Sequence, residues 1–222
     1  RRYCFGNQPG IAHWNLVQLA NAIYPLIQET EPLQKGLDAY ADGYLQGWQT
    51  MMANKLGLGS FEVDTDNPLT AELQAVLESV ETDMTIFYRN LASVDTSAGP
   101  LDELSDDMLM APLMDAYYVP DQLTPAAKLR IGNWLRSYIK RVQEDGSSDK
   151  IRRQRMNAVN PVYVLRNYLA QLAIDKAEQG DFSLVHELMA LLRHPYDEQP
   201  GKEEFAAKRP DWARHRAGCS ML

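Results

Sequence analysis

The sequence predicts an all-helical protein, and three observations carry that prediction. Apolar residues recur at three- and four-residue steps along nearly the whole chain. Proline, glycine or a capping side chain stands where such stripes begin and end. No run alternates apolar and polar residues with the β-branched enrichment of a strand.

The elements follow in order. Trp14, Val17, Ile23, Leu26 and Ile27 mark a helix over about 11–28. Pro25 is expected to kink it, because its ring removes an N–H and crowds the preceding turn. Leu33, Leu37, Tyr40, Tyr44, Trp48 and Met51 form a second stripe, read as a core-facing surface rather than a cofactor box. The glycines of Lys55-Leu56-Gly57-Leu58-Gly59 end that helix. Asn67-Pro68 is expected to open the next, with Asn as cap and Pro at the first helical position. Leu69, Leu73, Val76, Leu77 and Val80 carry its face, and Met84, Phe87 and Leu91 resume the pattern after a break. Thr124-Pro125 repeats the cap-then-proline device ahead of Ile131, Trp134, Leu135, Tyr138 and Val142. Two further helices, around 162–179 and 183–193, flank Gly180-Asp181. Loops are expected at 57–67, 95–100, 118–124, 145–149 and 195–204, where Gly, Pro, Ser and Asp gather.

Composition narrows the function classes. The 222 residues, 45% hydrophobic and 23% charged, match an ordinary globular chain with ample material for a core. A net charge of −8 and a pI near 5.0 argue against general nucleic-acid binding, which needs a basic face. No stretch approaches the apolar length of a membrane span. Two cysteines, Cys4 and Cys219, are too few for a disulfide-built scaffold. The chain starts Arg1-Arg2-Tyr3-Cys4 without an initiator Met, so upstream residues are expected and targeting cannot be read.

Self-contained catalytic motifs are missing. Gly57-Leu58-Gly59 is a lone GxG between helices, better explained as a turn than as a phosphate loop. There is no Walker lysine, VAIK-like strand, HRD loop or DFG, and Gly180-Asp181-Phe182 reads as a helix end followed by a cap. His13, His186, His194 and His215 share no metal-ligand spacing with one another or with the cysteines. Asp64, Asp66 and Asn67 begin like a calcium loop but lack its Gly and its Glu. Asp102, Glu103, Asp106 and Asp107 complement a helix N-terminus. Lys150, Arg152, Arg153 and Arg155 are the one dense basic cluster, read as a helix surface offsetting nearby acids, with an anion site as the alternative.

Longer strings go further. Phe5-Gly6-Asn7-Gln8-Pro9, Ile11-Ala12 and Trp14-Asn15-Leu16 resemble the FGNQPxIAxWNL signature of the selenoprotein O (SelO/YdiU) family. Lys55-Leu56-Gly57-Leu58 and Asp83-Met84-Thr85 with Phe87-Tyr88-Arg89 and Leu91 are similar to its KLGL and DYTxFFRxL segments, Met84 and Tyr88 departing from the usual aromatics. Trp134-Leu135, Tyr138 and Arg141 resemble its WLxxYxxR helix. Asn160-Pro161-Val162-Tyr163-Val164-Leu165-Arg166-Asn167 is the strongest match. Gln171, Ala173-Ile174, Gly180-Asp181, Pro195-Tyr196, Glu198-Gln199-Pro200, Pro210-Asp211-Trp212-Ala213 and Gly218-Cys219-Ser220 follow in the family's order.

The resemblance implies the helical C-terminal part of a protein-kinase-like (pseudokinase) fold plus a helical extension. One helical unit over 1–222 is expected: 1–10 ending an activation-like segment, 11–144 forming C-lobe-type helices, and 145–222 an extension and tail. It implies transfer of AMP or UMP from ATP or UTP, with Mg²⁺ or Mn²⁺, to Ser, Thr or Tyr of client proteins. By that alignment the phosphate-handling and metal-binding groups precede Arg1, so this piece is expected to carry no catalytic, cofactor or metal residue and to be inactive alone. A structural role is expected for Asn160, Arg166, Asn167 and Asp181. A cytoplasmic location is implied for a bacterial member, a mitochondrial one in eukaryotic relatives. Cys219 lies where relatives carry Cys or selenocysteine, and the resemblance suggests a reversible Cys4–Cys219 disulfide over the active-site region. Closing so long a loop would stabilise the oxidised form by about 5 kcal/mol in the chain-entropy model. The alternative from another class is a helical interaction module with no enzymatic parent.

Overall fold

The computed structural model describes residues 5–97 and 99–216. They are all-α: among them the only β-type pairing is an isolated antiparallel bridge between Thr82 and Tyr117. The chain divides into two compact units, Arg1–Met52 and Ala53–Leu222.

The first unit holds α1 (Gln8–Ile27) and most of α2 (Glu31–Leu56). Pro9 sits near the start of α1, where its missing N–H would have no helical partner anyway. Pro25 stands two residues before the end, and Gln28 turns the chain in the left-handed region with φ 59°. Tyr40 Oη donates to the carbonyl of Pro9 at 3.0 Å, and His13 lies against the Tyr40 ring at 6.0 Å. Not one residue of α1 is buried, although its sequence is largely apolar.

The second unit begins with the end of α2. Gly57 N–H bonds Asn54 O and Leu58 N–H bonds Ala53 O, the double closure that a left-handed residue allows, and Gly57 supplies it with φ +75°. There follow α3 (Val63–Ser79), α4 (Met84–Leu91), α5 (Asp106–Met110), α6 (Pro125–Asp145), α7 (Asp149–Asn157), α8 (Asn167–Ala177), α9 (Ser183–Leu191), α10 (Glu203–Ala206) and α11 (Asp211–Arg214), with short 3-10 turns between. The α6 start is as the sequence predicts: Thr124 Oγ1 accepts from Ala127 N–H and Pro125 is the first helical residue.

Two boundaries differ from expectation. Asn67-Pro68 does not open α3, which starts a turn earlier. Asp66 explains it: its carboxylate accepts from Glu62 N–H at 2.7 Å and is gripped by Arg141, so the turn ahead of Pro68 is held helical. Residues 161–166 are not helical; α8 begins only at Asn167. Val162 and Tyr163 N–H both bond Pro195 O, which fixes that segment extended before the helix can start.

The main core gathers on α6, which packs against α3 and α5. Ile131, Trp134, Leu135, Tyr138 and Ile139 gather with Leu73 and Val76 of α3, Phe87 of α4, Met110 of α5 and Leu113 just beyond it, all nearly inaccessible. Trp134 and Tyr138 stack with centroids 5.4 Å apart, and their polar tips are satisfied: Trp134 Nε1 donates to Leu69 O and Tyr138 Oη to Leu56 O. A second core cluster joins Tyr163, Tyr168, Leu169, Leu188, Leu191 and Phe205.

Candidate functional site

Three of the strings singled out in the sequence, 83–91, 160–167 and 195–200, meet in the second unit. Asp83 caps α4, its Oδ1 accepting from Ile86 N–H at 3.1 Å. The same carboxylate takes both arms of Arg166, at 2.5 and 3.1 Å, and the phenol of Tyr118 at 2.8 Å. Asp83 is 0% and Arg166 2% exposed, so this is a fully desolvated fork-on-fork pair. Burial, and then the neighbouring Asp83, push the Tyr118 phenol up to about 12, so it stays a hydrogen-bond donor at neutral pH.

Arg89, one turn further along α4, holds the segment that precedes this pair. Its Nη1 donates to the carbonyls of Asn157 and Asn160 at 3.1 and 3.2 Å, and its Nη2 lies 3.5 Å from Glu198. Asn160 is buried and donates through Nδ2 to Lys55 O, an end carbonyl of α2. Asn160 and Arg166 thus both engage backbone or charge of this chain. Asp181 Oδ1 accepts from Ser183 N–H just ahead of α9, after the left-handed Gly180.

The basic cluster is not the uniform surface that the sequence suggests. Arg153 pairs with Asp149 at the surface and Arg155 donates to Gly57 O, but Arg152 is 0% exposed. It reaches the carbonyls of Leu91, Ala92 and Val94 and the Tyr138 hydroxyl, and pairs with Asp149. Burial alone would raise the Asp149 carboxyl; hydrogen bonds from Arg152, Thr96 and Arg153 outweigh it and hold the group below its usual range. Arg141 likewise clasps the fully buried Asp66 at 2.8 and 3.1 Å. Sequence reasoning missed these two arginines as interior residues. For Arg141 the signal present was its position on the apolar stripe, three residues after Tyr138 and one before Val142; the polar sequence around Arg152 carried none.

Where the three strings converge they bound a cleft of about 610 Å³. Thr85, Ile86 and Arg89 of α4 form one wall, Pro161–Tyr163 the next, and the 198–208 segment the third. Tyr163 Oη accepts from Gln199 N–H at 3.1 Å and fastens the last wall to the second. The cleft's size is that of a small-molecule or peptide side-chain site.

Among the described residues no three His, Cys, Asp or Glu side chains converge to hold a metal ion. No described helix is long and apolar enough to cross a membrane. Cys4 and Cys219 lie outside the described residues.

A family model described as protein adenylyltransferase SelO matches residues 1–193. Proteins named protein nucleotidyltransferase YdiU from Rhodopirellula baltica, Aromatoleum aromaticum and Flavobacterium johnsoniae are 54%, 53% and 49% identical to it. Each match covers 100% of this chain and 42%, 40% and 41% of the relative. An all-α unit built on these strings is therefore a portion of a SelO-type protein in kind. The chain belongs to the SelO (YdiU) family. It spans about two fifths of the length of the curated relatives it matches.

Proposed function

We propose that this chain is the C-terminal helical part of a protein-kinase-like protein nucleotidyltransferase, and that it serves as scaffold rather than as catalyst. The full-length protein transfers AMP or UMP from ATP or UTP to Ser, Thr or Tyr hydroxyls of client proteins, with Mg²⁺ or Mn²⁺ at the phosphates. Polypeptide that precedes residue 1 in the longer relatives supplies the lysine, the arginines and the metal-binding Asp and Asn that such transfer requires. A cytoplasmic location in a bacterium goes with this reading.

The observation that carries it is α1. Ile11, Trp14, Leu19 and Leu26 are 54–85% exposed on a helix that buries nothing. Helices of such composition are stable against apolar partners, and a matching surface is expected in the remaining three fifths of the relatives' length. The interior arginines give secondary support. Arg141, Arg152 and Arg166 are each committed to a carboxylate or to backbone carbonyls of this chain, which leaves them holding the scaffold together.

The test compares the 222-residue piece with the full-length protein, using radiolabelled ATP and a mixture of protein substrates. Label is expected on protein only with the full chain. Robust transfer by the piece alone would overturn the placement of the active site, and no transfer by either would favour a non-enzymatic interaction module. The same reading makes Cys4 and Cys219 a reversible redox pair. Non-reducing peptide mass spectrometry of the oxidised full-length protein should find them joined, and free thiols there would end that part.

A further inference from the structure

A cleft selects by charge only through groups that are not already neutralised. Two cations line this one: Arg89, whose Nη1 serves two carbonyls while Nη2 faces Glu198 at 3.5 Å, and Lys208, whose Nζ donates to Tyr117 O at 2.8 Å and keeps its charge. Its carboxylates are freer. Asp115 and Glu203 are exposed and meet no cationic side chain among the described residues. Glu203 is held below its usual range by its own backbone N–H and that of Gly201, which keeps it ionised. Between the carboxylates the walls are apolar, with Ile86, Pro161, Val162 and Pro200 prominent.

Apolar walls beneath unpaired carboxylates suit a long cationic side chain. The methylene stem of Lys or Arg lies along Ile86 and the prolines while its head reaches Asp115 or Glu203. A phosphate or an acidic peptide would meet two engaged cations and three carboxylates, a net repulsion. From this charge pattern we propose that the cleft docks an extended basic segment of the protein substrate, with Asp115 and Glu203 receiving its Lys or Arg head groups. The proposal rests on the transferase reading above for the nature of its partner. The 610 Å³ available holds a few side chains, so the cleft reads a short stretch and leaves the modified hydroxyl to a site elsewhere in the full-length protein.

The experiment uses the full-length protein and two short fluorescein-labelled peptides of Ala, Ser and Gly, identical except that one carries two Lys and the other two Glu. Fluorescence anisotropy at low salt should show the Lys peptide binding at least about tenfold more tightly, with the advantage fading toward 0.5 M salt, roughly where screening is short-ranged. Asp115→Lys with Glu203→Lys should abolish that binding, and Asp115→Asn with Glu203→Gln should weaken it, with a cooperative thermal melt retained in both. Equal binding of the two peptides, or full Lys-peptide binding by the charge-reversed variant, overturns the docking site. ATP-dependent labelling of protein substrates is followed in parallel. Labelling without cleft binding defeats only the docking proposal; cleft binding without labelling defeats the transferase reading and leaves the cleft.

Discussion

Arg166 and Asp83 stand 83 residues apart in sequence and hold each other by two N–H···O contacts in an interior that water does not reach. Breaking such a pair strands the survivor's charge, which costs far more than the pair's net contribution. Arg166→Met is expected to destabilise the second unit by about 3–5 kcal/mol in urea unfolding. Asp83→Leu combined with Arg166→Met should cost markedly less than the sum of the single changes. Strict additivity would mean the two side chains do not act as a unit.

Arg152 makes a second forecast. Its guanidinium satisfies carbonyls of Leu91, Ala92 and Val94 at 3.3, 3.0 and 2.7 Å. A lysine keeps the charge but cannot fork across three oxygens. Arg152→Lys should therefore lose about 2–3 kcal/mol, since at least one buried carbonyl is left bare. A melting temperature within one degree or so of wild type would contradict this.

These arginines also show what was legible in the sequence. The α6 cap at Thr124, the turn at Gly57 and the stop at Gly180 were readable because each is decided by neighbours in the chain. The start of α3 was not, because it depends on Asp66 meeting Arg141 from 75 residues away. Residues 162–166, expected at the start of a helix over about 162–179, lie outside it for the same reason: Pro195 and Asp83 hold them, and neither is local. Of the candidate site, the three strings were visible, but their meeting around one cleft was not, since spacing along the chain carries no information about which strings adjoin.

Two glycines separate backbone strain from crowding. Gly57 and Gly146 both have positive φ, +75° and +69°. A methyl at Gly57 would lie 2.5 Å from Arg152 Cγ and 2.8 Å from Met156 Cγ, whereas at Gly146 it would meet open space. Gly146→Ala should cost about 1 kcal/mol for conformation alone, and Gly57→Ala about 1–3 kcal/mol more. Equal losses in thermal unfolding would show that the Arg152 side chain moves aside freely.

Acid should loosen the second unit partly through Asp149. Its carboxyl titrates below the unfolded value, so the unfolded chain binds the proton more readily in acid. The stability it confers is present above about pH 4 and is lost as the pH falls through the lower folded value. Asp149→Asn should lower the melting temperature near neutrality and flatten its fall below about pH 4. An unchanged acid slope would remove Asp149 from the account.

Glu81 is bridged by both Arg209 and Arg214, and Arg209 lies 128 residues downstream of it. On a ribosome adding roughly 5–20 residues each second, Glu81 emerges about 6–26 s before that arginine exists. Until Arg209 arrives, the 81–83 turn and, once it is made, the Tyr118 hydroxyl that accepts from Arg209 N–H lack that partner. The second unit thus closes only once residues 209–214 have been made, and a nascent polypeptide released short of residue 209 would carry an open seam there for a protease or chaperone to find.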